Sequence, residues 1–384
     1  MGFQGYPRPD GSAGVRNYVA VISSVSCANG VVQAIARELP QVKPITHTEG
    51  CGRGLKDIAI SSRTLAGLGK NPNVAAALVV GLGCEFIKPQ ALAEQISSSK
   101  KPVEYLVIQD QGGSQKTARK GVEIARRMLT YADSIPRREC GWEQIMLALK
   151  CGGSDALSGV TANPMVGRAA DWLAEKGGTV ILSETTEMIG TEKILAGRAA
   201  TPEVAARIQA IIMEQEKVAK ALLGPLAGLV ISPGNLEGGL SSIREKALGC
   251  IVKAGSAPIQ EVVDYAARPA KRGVVIMDTP GSDIYSLTGM AAAGAQIMVF
   301  TTGRGTPAGF PLAPVIKVAS NSELFAKMND DLDLNAGKVL EGMSLEEAGQ
   351  ELISFLKQVA NGEPTKAEIN RQDLLSIHTV EPAF

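Results

Sequence analysis

Apolar segments of strand length alternate with segments of helical periodicity along most of the chain, and this alternation constrains the fold more than any other feature. The run "NYVAVISSV" (17–25) is apolar and rich in β-branched residues, whereas "GVVQAIAREL" (30–39) has helical spacing. The same alternation recurs later, from the strand-like run "VAAALVVGLG" (74–83) to the long helical pattern at 114–132. Strands and helices in strict turn are typical of parallel sheets. We therefore predict an α/β protein of two doubly wound, mostly parallel α/β domains.

A polar segment near residue 140 interrupts the alternation. "SIPRRECGW" (134–142) contains a proline, and the next strand-like run is "QIMLALKC" (144–151). A chain of 384 residues is long enough for two domains. We predict an N-terminal domain at 1–140, which carries loops with Cys and His, and a C-terminal domain at 141–384, which carries glycine-rich substrate-binding loops.

The charge balance excludes several classes of partner. Lys and Arg together number 39, as do Asp and Glu, so the net charge is zero. Without a basic surplus we expect neither a nucleic-acid nor a membrane-surface partner. No apolar run reaches the roughly 18–20 residues that span a bilayer, and the N-terminus lacks the apolar core of a signal peptide. We predict a cytoplasmic protein.

Four of the six cysteines occupy equivalent places, just past predicted strands. Cys27, Cys51, Cys84 and Cys151 each follow or end such a strand, and three of them adjoin glycine. Ligands of open α/β sheets bind beyond the carboxyl ends of the strands, so these thiols can converge. A single cysteine is more often a small buried apolar residue. Four in this arrangement favour a site for a soft or borderline metal such as iron or zinc.

The loop "ITHTEGCGRG" (45–54) holds one of only two histidines in the chain. His47 and Glu49 stand beside Cys51, in a glycine-rich loop at a strand end. His47 is therefore a candidate metal ligand or general base. A structural role is the alternative for any lone histidine.

The stretch "CGGSDALSGVTANP" (151–164) gathers hydroxyls, an acid and an amide after a strand. Ser154, Asp155 and Asn163 could bind a polyhydroxylated or carboxylate substrate. The same residue types are common at helix N-caps, and both roles are compatible because a helix N-terminus attracts anions.

Two further glycine-rich loops carry candidate substrate-binding residues. "SPGN" (232–235) contains Asn235, and "FTTGRGTP" (300–307) places Arg304 between two glycines after a strand. An arginine so placed can bind a carboxylate through two hydrogen bonds. A surface turn is the alternative.

Six motifs together carry a resemblance to a known family. They are "GYPRPDGSAGVRNY", "HTEGCG", "NPNVAAALVVGLGCE", "KCGGSDALSGVTANP", "SPGN" and "FTTGRGTP". In this order, from about residue 4 to about 362, they resemble the altronate and galactarate dehydratase family of sugar-acid dehydratases. The resemblance implies removal of water from a 2,3-dihydroxy acid to give a 2-keto-3-deoxy acid, with ferrous iron. It also implies a small N-terminal domain or a small partner chain, so this chain could need such a partner.

The chain departs from the family in one loop. The family's histidine loop typically reads H-G-T-G-C or H-Q-G-G-C, whereas this chain has Glu49 where a neutral residue is typical. That carboxylate could change the base or the substrate. A related branch, the sulfolactate sulfo-lyase large chain, eliminates sulfite. The H-x-x-x-C loop and the G-L-G-C element place this chain nearer the dehydratases.

These considerations give one hypothesis for the site. His47 is the first candidate for the base that takes the C2 proton, followed by Glu49 and Asp155. We expect Cys51, Cys84 and Cys151, with Cys27 as a fourth ligand, to hold Fe²⁺, and an iron–sulfur cluster is the alternative. The residues predicted to bind the substrate, a small hydroxy acid, are Arg16, Asn17, Ser154, Asn163, Asn235 and Arg304.

Two other functions stay open at this stage. One is elimination of sulfite from a sulfolactate-like substrate. The other is a non-catalytic scaffold that holds a small partner chain, which the many glycine-lined strand ends disfavour. In each case we expect a homo-oligomer.

Overall fold

A computed structural model describes residues 2–224 and 231–384 of the protein. Its strands are β1 (Phe3–Pro7), β2 (Ala13–Gly14), β3 (Tyr18–Ser23), β4 (Lys43–Ile45), β5 (Val74–Gly81), β6 (Val103–Val107), β7 (Arg138–Cys140), β8 (Met146–Cys151), β9 (Thr179–Leu182), β10 (Ile259–Val263), β11 (Gly273–Met277), β12 (Ile297–Thr302), β13 (Val315–Ala319) and β14 (Leu334–Asn335). Its helices are α1 (Asn29–Glu38), α2 (Leu55–Lys70), α3 (Pro89–Ser97), α4 (Ser114–Asp133), α5 (Ala162–Glu175), α6 (Glu192–Ala196), α7 (Pro202–Leu223), α8 (Pro233–Glu237), α9 (Ile243–Ile251), α10 (Asp283–Ala293), α11 (Ser322–Lys327), α12 (Leu345–Ala360) and α13 (Lys366–Ile369). No described helix combines the length and the apolar character needed to cross a bilayer.

Two parallel sheets dominate the described part of the chain. A four-stranded sheet has the order β4-β3-β5-β6, and a seven-stranded sheet has the order β10-β11-β9-β8-β12-β13-β14. Every strand pair in both sheets is parallel. The predicted α/β fold with two mostly parallel layers is confirmed. The exact boundary at residue 140 stays a prediction.

The central strands of both sheets are buried along their whole length. Every residue of β5 and β8 is buried, because helices cover both faces of a parallel sheet. This explains why both strands read as continuous apolar runs. One small sheet was not predicted: β1 pairs antiparallel with β2 and with β7, and so ties the start of the chain to the segment before β8.

The strand order creates a crevice in each sheet. In the smaller sheet the chain leaves β3 for β4 on one side and returns to β5 on the other. In the larger sheet it leaves β8 for β9 and later returns to β12 on the opposite side. Ligands of open α/β sheets bind at such reversals, beyond the carboxyl ends of the strands.

The two sheets are joined by buried amide side chains. Asn71, at the end of α2, donates to the carbonyl oxygens of Ala291 (2.8 Å) and Ala295 (2.9 Å). Asn73 donates to the carbonyl oxygens of Gln296 (2.9 Å) and Leu312 (2.8 Å). Both asparagines are fully buried, so these bonds fix the two domains in one relative position.

Helices α2 and α10 pack side by side at this junction. Their C-terminal ends meet where Asn71 bonds Ala291. Their N-terminal ends are joined by one segment, in which His378 contacts the ring of Tyr285 and Val380 donates to Asp57. The helices therefore run parallel, and the carboxyl edges of both sheets open on the same side of the molecule.

Candidate active site

A cavity of about 290 Å³ lies beyond the carboxyl end of β8. Three residues predicted from the sequence line it, namely Ser154, Asp155 and Asn163. Ser154 is only 3% exposed, yet none of the described residues pairs with its hydroxyl. A buried polar group without a partner costs about 1–3 kcal/mol. This unsatisfied hydroxyl beside the cavity is therefore a candidate group for binding a ligand.

A group of buried metal-ligand residues adjoins this cavity. We call Cys151, Glu184, Glu187 and Cys250 the buried Cys–Glu group; one ligand atom from each lies within 4.8 Å of the others. The thiol of Cys151 donates to Glu187 Oε2 at 3.0 Å, and its backbone N–H donates to Glu184 Oε2 at 3.0 Å. Within residues 2–224 and 231–384, no other such group of three or more His, Cys, Asp or Glu was found.

Two completely buried lysines neutralise this group on one side. Lys150 pairs with Glu184 and with Asp283, the latter at 2.9 Å. Lys253 Nζ lies 2.6 Å from Glu184 Oε2. Burial alone would lower the pKa of Lys150, but Glu184 and Asp283 outweigh it and raise the pKa above its usual value. Lys150 therefore stays charged although it is buried.

A third lysine connects the group with the cavity. Lys246 lines the cavity, and its Nζ lies 2.6 Å from Glu187 Oε1 and 3.3 Å from Asn235 Oδ1. Burial would raise the pKa of Glu187, but Lys246 and Lys150 outweigh it and lower the pKa to about 2. Glu187 is therefore ionised at neutral pH.

The donor set suits a divalent metal. Two thiols and two carboxylates match the preferences of a borderline cation such as iron or zinc. The hydrogen bond with Cys151 and burial raise the pKa of the Cys250 thiol well above its usual value, so that thiol is protonated without a metal. The residues present therefore fit a metal.

The backbone at Glu184 is in a strained conformation. Its φ of 74° and ψ of 60° lie in the left-handed region, which a non-glycine residue adopts at a cost of about 1–3 kcal/mol. Its N–H donates to Thr279 Oγ1 at 2.7 Å, and Lys150 and Lys253 hold its carboxylate. Such strain clusters at functional sites, which supports a functional role for this glutamate.

Asp155 braces the loop after β8. Its Oδ1 accepts hydrogen bonds from the backbone N–H (2.8 Å) and the hydroxyl (2.7 Å) of Ser158. Its Oδ2 accepts from Ser320 Oγ at 2.9 Å and from Asn321 Nδ2 at 3.1 Å. Four donors thus hold this carboxylate, although it lines the cavity.

The two predicted asparagines fix backbone near the cavity. Asn163 donates to the carbonyl oxygen of Gly249 at 2.8 Å and accepts from Thr301 Oγ1 at 2.7 Å. Asn235 donates to the carbonyl oxygen of Ser154 at 2.8 Å. Both side chains are buried and connect neighbouring elements, since Gly249 lies in α9 and Thr301 in β12.

The other predicted substrate-binding residues lie outside this cavity. Arg304 lines a neighbouring cavity of about 370 Å³ and pairs with Glu237 at 2.8 Å. Arg16 forms a two-bonded ion pair with Glu368, with distances of 2.8 and 2.9 Å. Asn17 accepts from Arg8 and donates to the carbonyl oxygen of Ala132. The structure does not bring Arg16 or Asn17 to the cavity lining.

The remaining predicted thiols lie at the carboxyl edge of the smaller sheet. Cys27, Cys51 and Cys84 follow β3, β4 and β5 and are all exposed. The loops of Cys27 and Cys51 touch, because the N–H of Ser26 donates to the carbonyl oxygen of Glu49 at 2.8 Å. Cys151 instead belongs to the buried Cys–Glu group on the larger sheet. The structure thus divides the predicted set of four thiols between two sheet edges.

His47 is buried and both ring nitrogens are engaged. Nε2 lies 2.9 Å from the carbonyl oxygen of Ser23, and Nδ1 accepts the N–H of Glu49 at 3.1 Å. This pattern places the proton on Nε2, and burial lowers the pKa of the ring, so the ring is neutral. Glu49 pairs with Arg53 at 2.7 Å. These contacts order the loop that carries Cys51.

Most residues of the buried Cys–Glu group, and the lysines that pair with it, were not predicted from the sequence. Glu184 and Glu187 follow the short strand β9, and Cys250 and Lys253 lie at the end of α9 and just beyond it. One signal was present: Lys150 is a charged residue at the end of an apolar strand, where burial requires a partner.

The chain is similar to several known enzymes. A sequence profile described as "D-galactarate/Altronate dehydratase, C-terminal" matches residues 142–382, and one described as "D-galactarate dehydratase/Altronate hydrolase, second domain" matches residues 5–133. Altronate dehydratase of Bacillus subtilis (strain 168) is 35% identical over 96% of this chain and 76% of its own length. Galactarate dehydratase (L-threo-forming) of Escherichia coli (strain K12) is 38% identical over 94% and 73%. (2R)-sulfolactate sulfo-lyase subunit beta of Chromohalobacter salexigens is 35% identical over 95% and 94%.

Proposed function

This chain belongs to the D-galactarate/altronate dehydratase family, and we propose that it dehydrates a sugar acid in the cavity beyond β8. The enzyme is a carbon–oxygen lyase of the hydro-lyase class. One observation carries the location of the reaction: Ser154, whose hydroxyl has no partner among the described residues, lines the same cavity as Lys246, which is bonded to the buried Cys–Glu group.

The cavity suits a small polyhydroxylated acid such as altronate or galactarate. Its volume of about 290 Å³ lies at the lower end of the range for ligand pockets, roughly 300–1,000 Å³. The lining combines hydroxyl groups with apolar side chains, and the hydroxyls can exchange hydrogen bonds with several substrate hydroxyls.

The reaction is a β-elimination of water. The C2–H bond breaks, a C2=C3 double bond forms, and the C3 hydroxyl leaves as water; the enol then tautomerises to the 2-keto-3-deoxy acid. The candidate proton acceptors are His47, Glu49 and Asp155, of which Asp155 lines the cavity. Ser154 would hold a substrate oxygen, and Asn235 fixes Ser154 through its carbonyl oxygen. General acid–base catalysis of this kind typically contributes ~10²–10⁴-fold.

We assign the divalent metal to the buried Cys–Glu group. Cys151, Glu184, Glu187 and Cys250 would hold it, and ferrous iron is the cation implied by the family resemblance. When bound, such a cation supplies positive charge close to the negative charge that develops on the substrate carboxylate. An iron–sulfur cluster on the exposed thiols Cys27, Cys51 and Cys84 is the alternative.

Anaerobic assays of aldonic and aldaric acids test this function directly. Altronate and galactarate are the first substrates, and the expected product is a 2-keto-3-deoxy acid. We expect Ser154→Ala to lower kcat/KM by roughly two- to tenfold, the value of one hydrogen bond. Ser134→Ala, on the exposed end of α4, is the matched control. A folded, iron-loaded enzyme that releases no keto acid from any of these substrates would refute the proposal.

Elimination of sulfite is the second candidate. It is supported by the 35% identity to a sulfolactate sulfo-lyase subunit, which this chain matches over 94% of that subunit's length. Release of sulfite from sulfolactate, without dehydration of sugar acids, would favour it.

The name of that relative also supports a partner. Because it is called a subunit, we propose that this chain works with a second, small chain. Activity that appears only when such a chain is added would establish it. The homo-oligomer and the cytoplasmic location stay predictions from the sequence.

A further inference from the structure

We propose that Lys246 anchors the substrate carboxylate and so determines that the enzyme acts on acids. This inference rests on the proposed function and assigns a role within the same cavity. Among the described residues that line the cavity, Lys246 is the one cation. Its side chain is 10% exposed, so its ammonium is largely shielded from solvent.

The ammonium of Lys246 is held in place before a ligand arrives. It carries three donors. Glu187 Oε1 at 2.6 Å and Asn235 Oδ1 at 3.3 Å accept two of them, which leaves one for a ligand. A pre-positioned cation binds an anion without the loss of side-chain freedom that an exposed lysine would incur.

Lys246 belongs to a buried network of charged side chains beside the cavity. Lys150, Lys246 and Lys253 pair with the buried carboxylates of Glu184 and Glu187. Asp155 is a third buried carboxylate beside the cavity, so the buried charges balance. Of the three lysines, Lys246 is the one that lines the cavity, where its ammonium can pair with a substrate carboxylate.

One amide links Lys246 to the backbone of Ser154. Asn235 accepts from Lys246 through Oδ1 and donates to the carbonyl oxygen of Ser154 through Nδ2, at 2.8 Å. Both Lys246 and Ser154 line the cavity. Their donors can therefore serve one carboxylate together, or the carboxylate and the adjacent C2 hydroxyl.

Binding of a charged and an uncharged probe tests the assignment. Altronate and altronamide differ in charge but not in their hydroxyl groups. Calorimetry on the anaerobically purified protein should show that Lys246→Met weakens altronate binding by about 10- to 100-fold, as expected for a hydrogen bond to a charged group. Altronamide binding should be unchanged. In kinetic assays KM should rise more than kcat falls.

Two controls make the result specific. Lys246→Arg keeps a cation, so it should restore part of the altronate affinity. Lys220→Met removes an exposed lysine on α7 and should leave binding unchanged. The assignment would be overturned if Lys246→Met weakened the binding of altronate and altronamide equally, or weakened the binding of neither.

The wild-type protein provides a test that does not depend on a variant's folding. If it binds altronamide as tightly as altronate, or binds neither altronate nor galactarate, no carboxylate subsite exists. If it binds altronate in a Lys246-dependent way but releases no keto acid, the proposed function fails while the subsite stands.

Discussion

Lys150 and Glu184 form an ion pair in which both side chains are completely buried. The pair lies at the carboxyl end of β8, directly beside the thiol of Cys151. Burial of two charges costs more than their attraction returns unless further hydrogen bonds complete the arrangement. Here Lys150 also donates to the carbonyl oxygen of Cys151 at 2.8 Å, and Lys253 holds the second carboxylate oxygen. These contacts fix the position of every charged group in the network.

Removal of one member should therefore be severe. We expect Lys150→Met to lower the free energy of unfolding by about 3–5 kcal/mol, because Glu184 would lose a partner that it cannot replace with water. Arg127→Met, which breaks an exposed pair with Glu104, should have little measurable effect. Chemical denaturation of both variants provides the comparison. If the free energy of unfolding decreased by the same small amount in both variants, water would have to reach Glu184.

Metal content should distinguish the two thiol sites. Cys250→Ser removes a ligand of the buried Cys–Glu group, whereas Cys84→Ser removes an exposed thiol of the smaller sheet. We expect Cys250→Ser to lose most of the bound iron and Cys84→Ser to keep it, as measured by elemental analysis after anaerobic purification. The reverse result would assign the iron to the exposed loops.

The sequence predicted the fold and the places of the thiols, but not which of them converge. Alternation and apolar runs identify parallel strands, and Cys27, Cys51, Cys84 and Cys151 do stand at strand ends. Their division between two sheets depends on strand order, which local patterns do not contain. Glu187 was missed because it reaches Cys151 across 36 residues of chain.

The roles of polar loop residues were harder still to predict. Asp155 and Asn163 have the residue types of both a binding site and a capped turn; Asp155 bonds within the turn, whereas Asn163 bonds Gly249 and Thr301 on other elements. Ser154 has the same local context, yet its hydroxyl has no hydrogen-bond partner within residues 2–224 and 231–384. Only the arrangement of neighbouring elements separates these cases.

The ion pair between Arg16 and Glu368 should make the free energy of unfolding depend on pH. Burial would raise the pKa of Glu368, but hydrogen bonds from Arg16 outweigh it and lower the pKa below its usual 4.5. A depressed carboxyl pKa contributes stability that is present above the unfolded value and is lost as pH falls through the folded value. We expect this share of the stability to begin to decrease below about pH 4.5 and to be lost as pH falls through the lower folded value.

Melting temperatures measured between pH 6 and pH 3 check this expectation. Glu368→Gln should already melt lower at pH 6, and its melting temperature should fall less steeply than that of the wild type as pH decreases. Parallel curves for the two proteins would show that Glu368 does not contribute to the acid sensitivity.

The C-terminal segment should order the loop that carries Cys51. The carboxylate of Asp57 is fully buried and accepts the N–H groups of Val380 (2.7 Å) and Glu381 (3.2 Å). Gly52 has no room for a side chain, since a Cβ there would lie 2.4 Å from the backbone carbonyl oxygen of Phe384. We expect both Asp57→Asn and Gly52→Ala to release the segment and to speed hydrogen exchange in residues 47–58 by roughly tenfold or more, because local opening becomes easier.

A matched control distinguishes this local increase in hydrogen exchange from a general loss of stability. Asp373→Asn removes only the partly exposed pair with Lys43, which precedes the docked segment, and should leave exchange in residues 47–58 unchanged. The buried strand β5 should stay protected in all three variants, since its neighbours are untouched. If residues 376–384 exchange faster in Asp57→Asn while residues 47–58 do not, the contacts with His47 and Arg53 alone order the loop. The docked segment would then serve only to join the two domains.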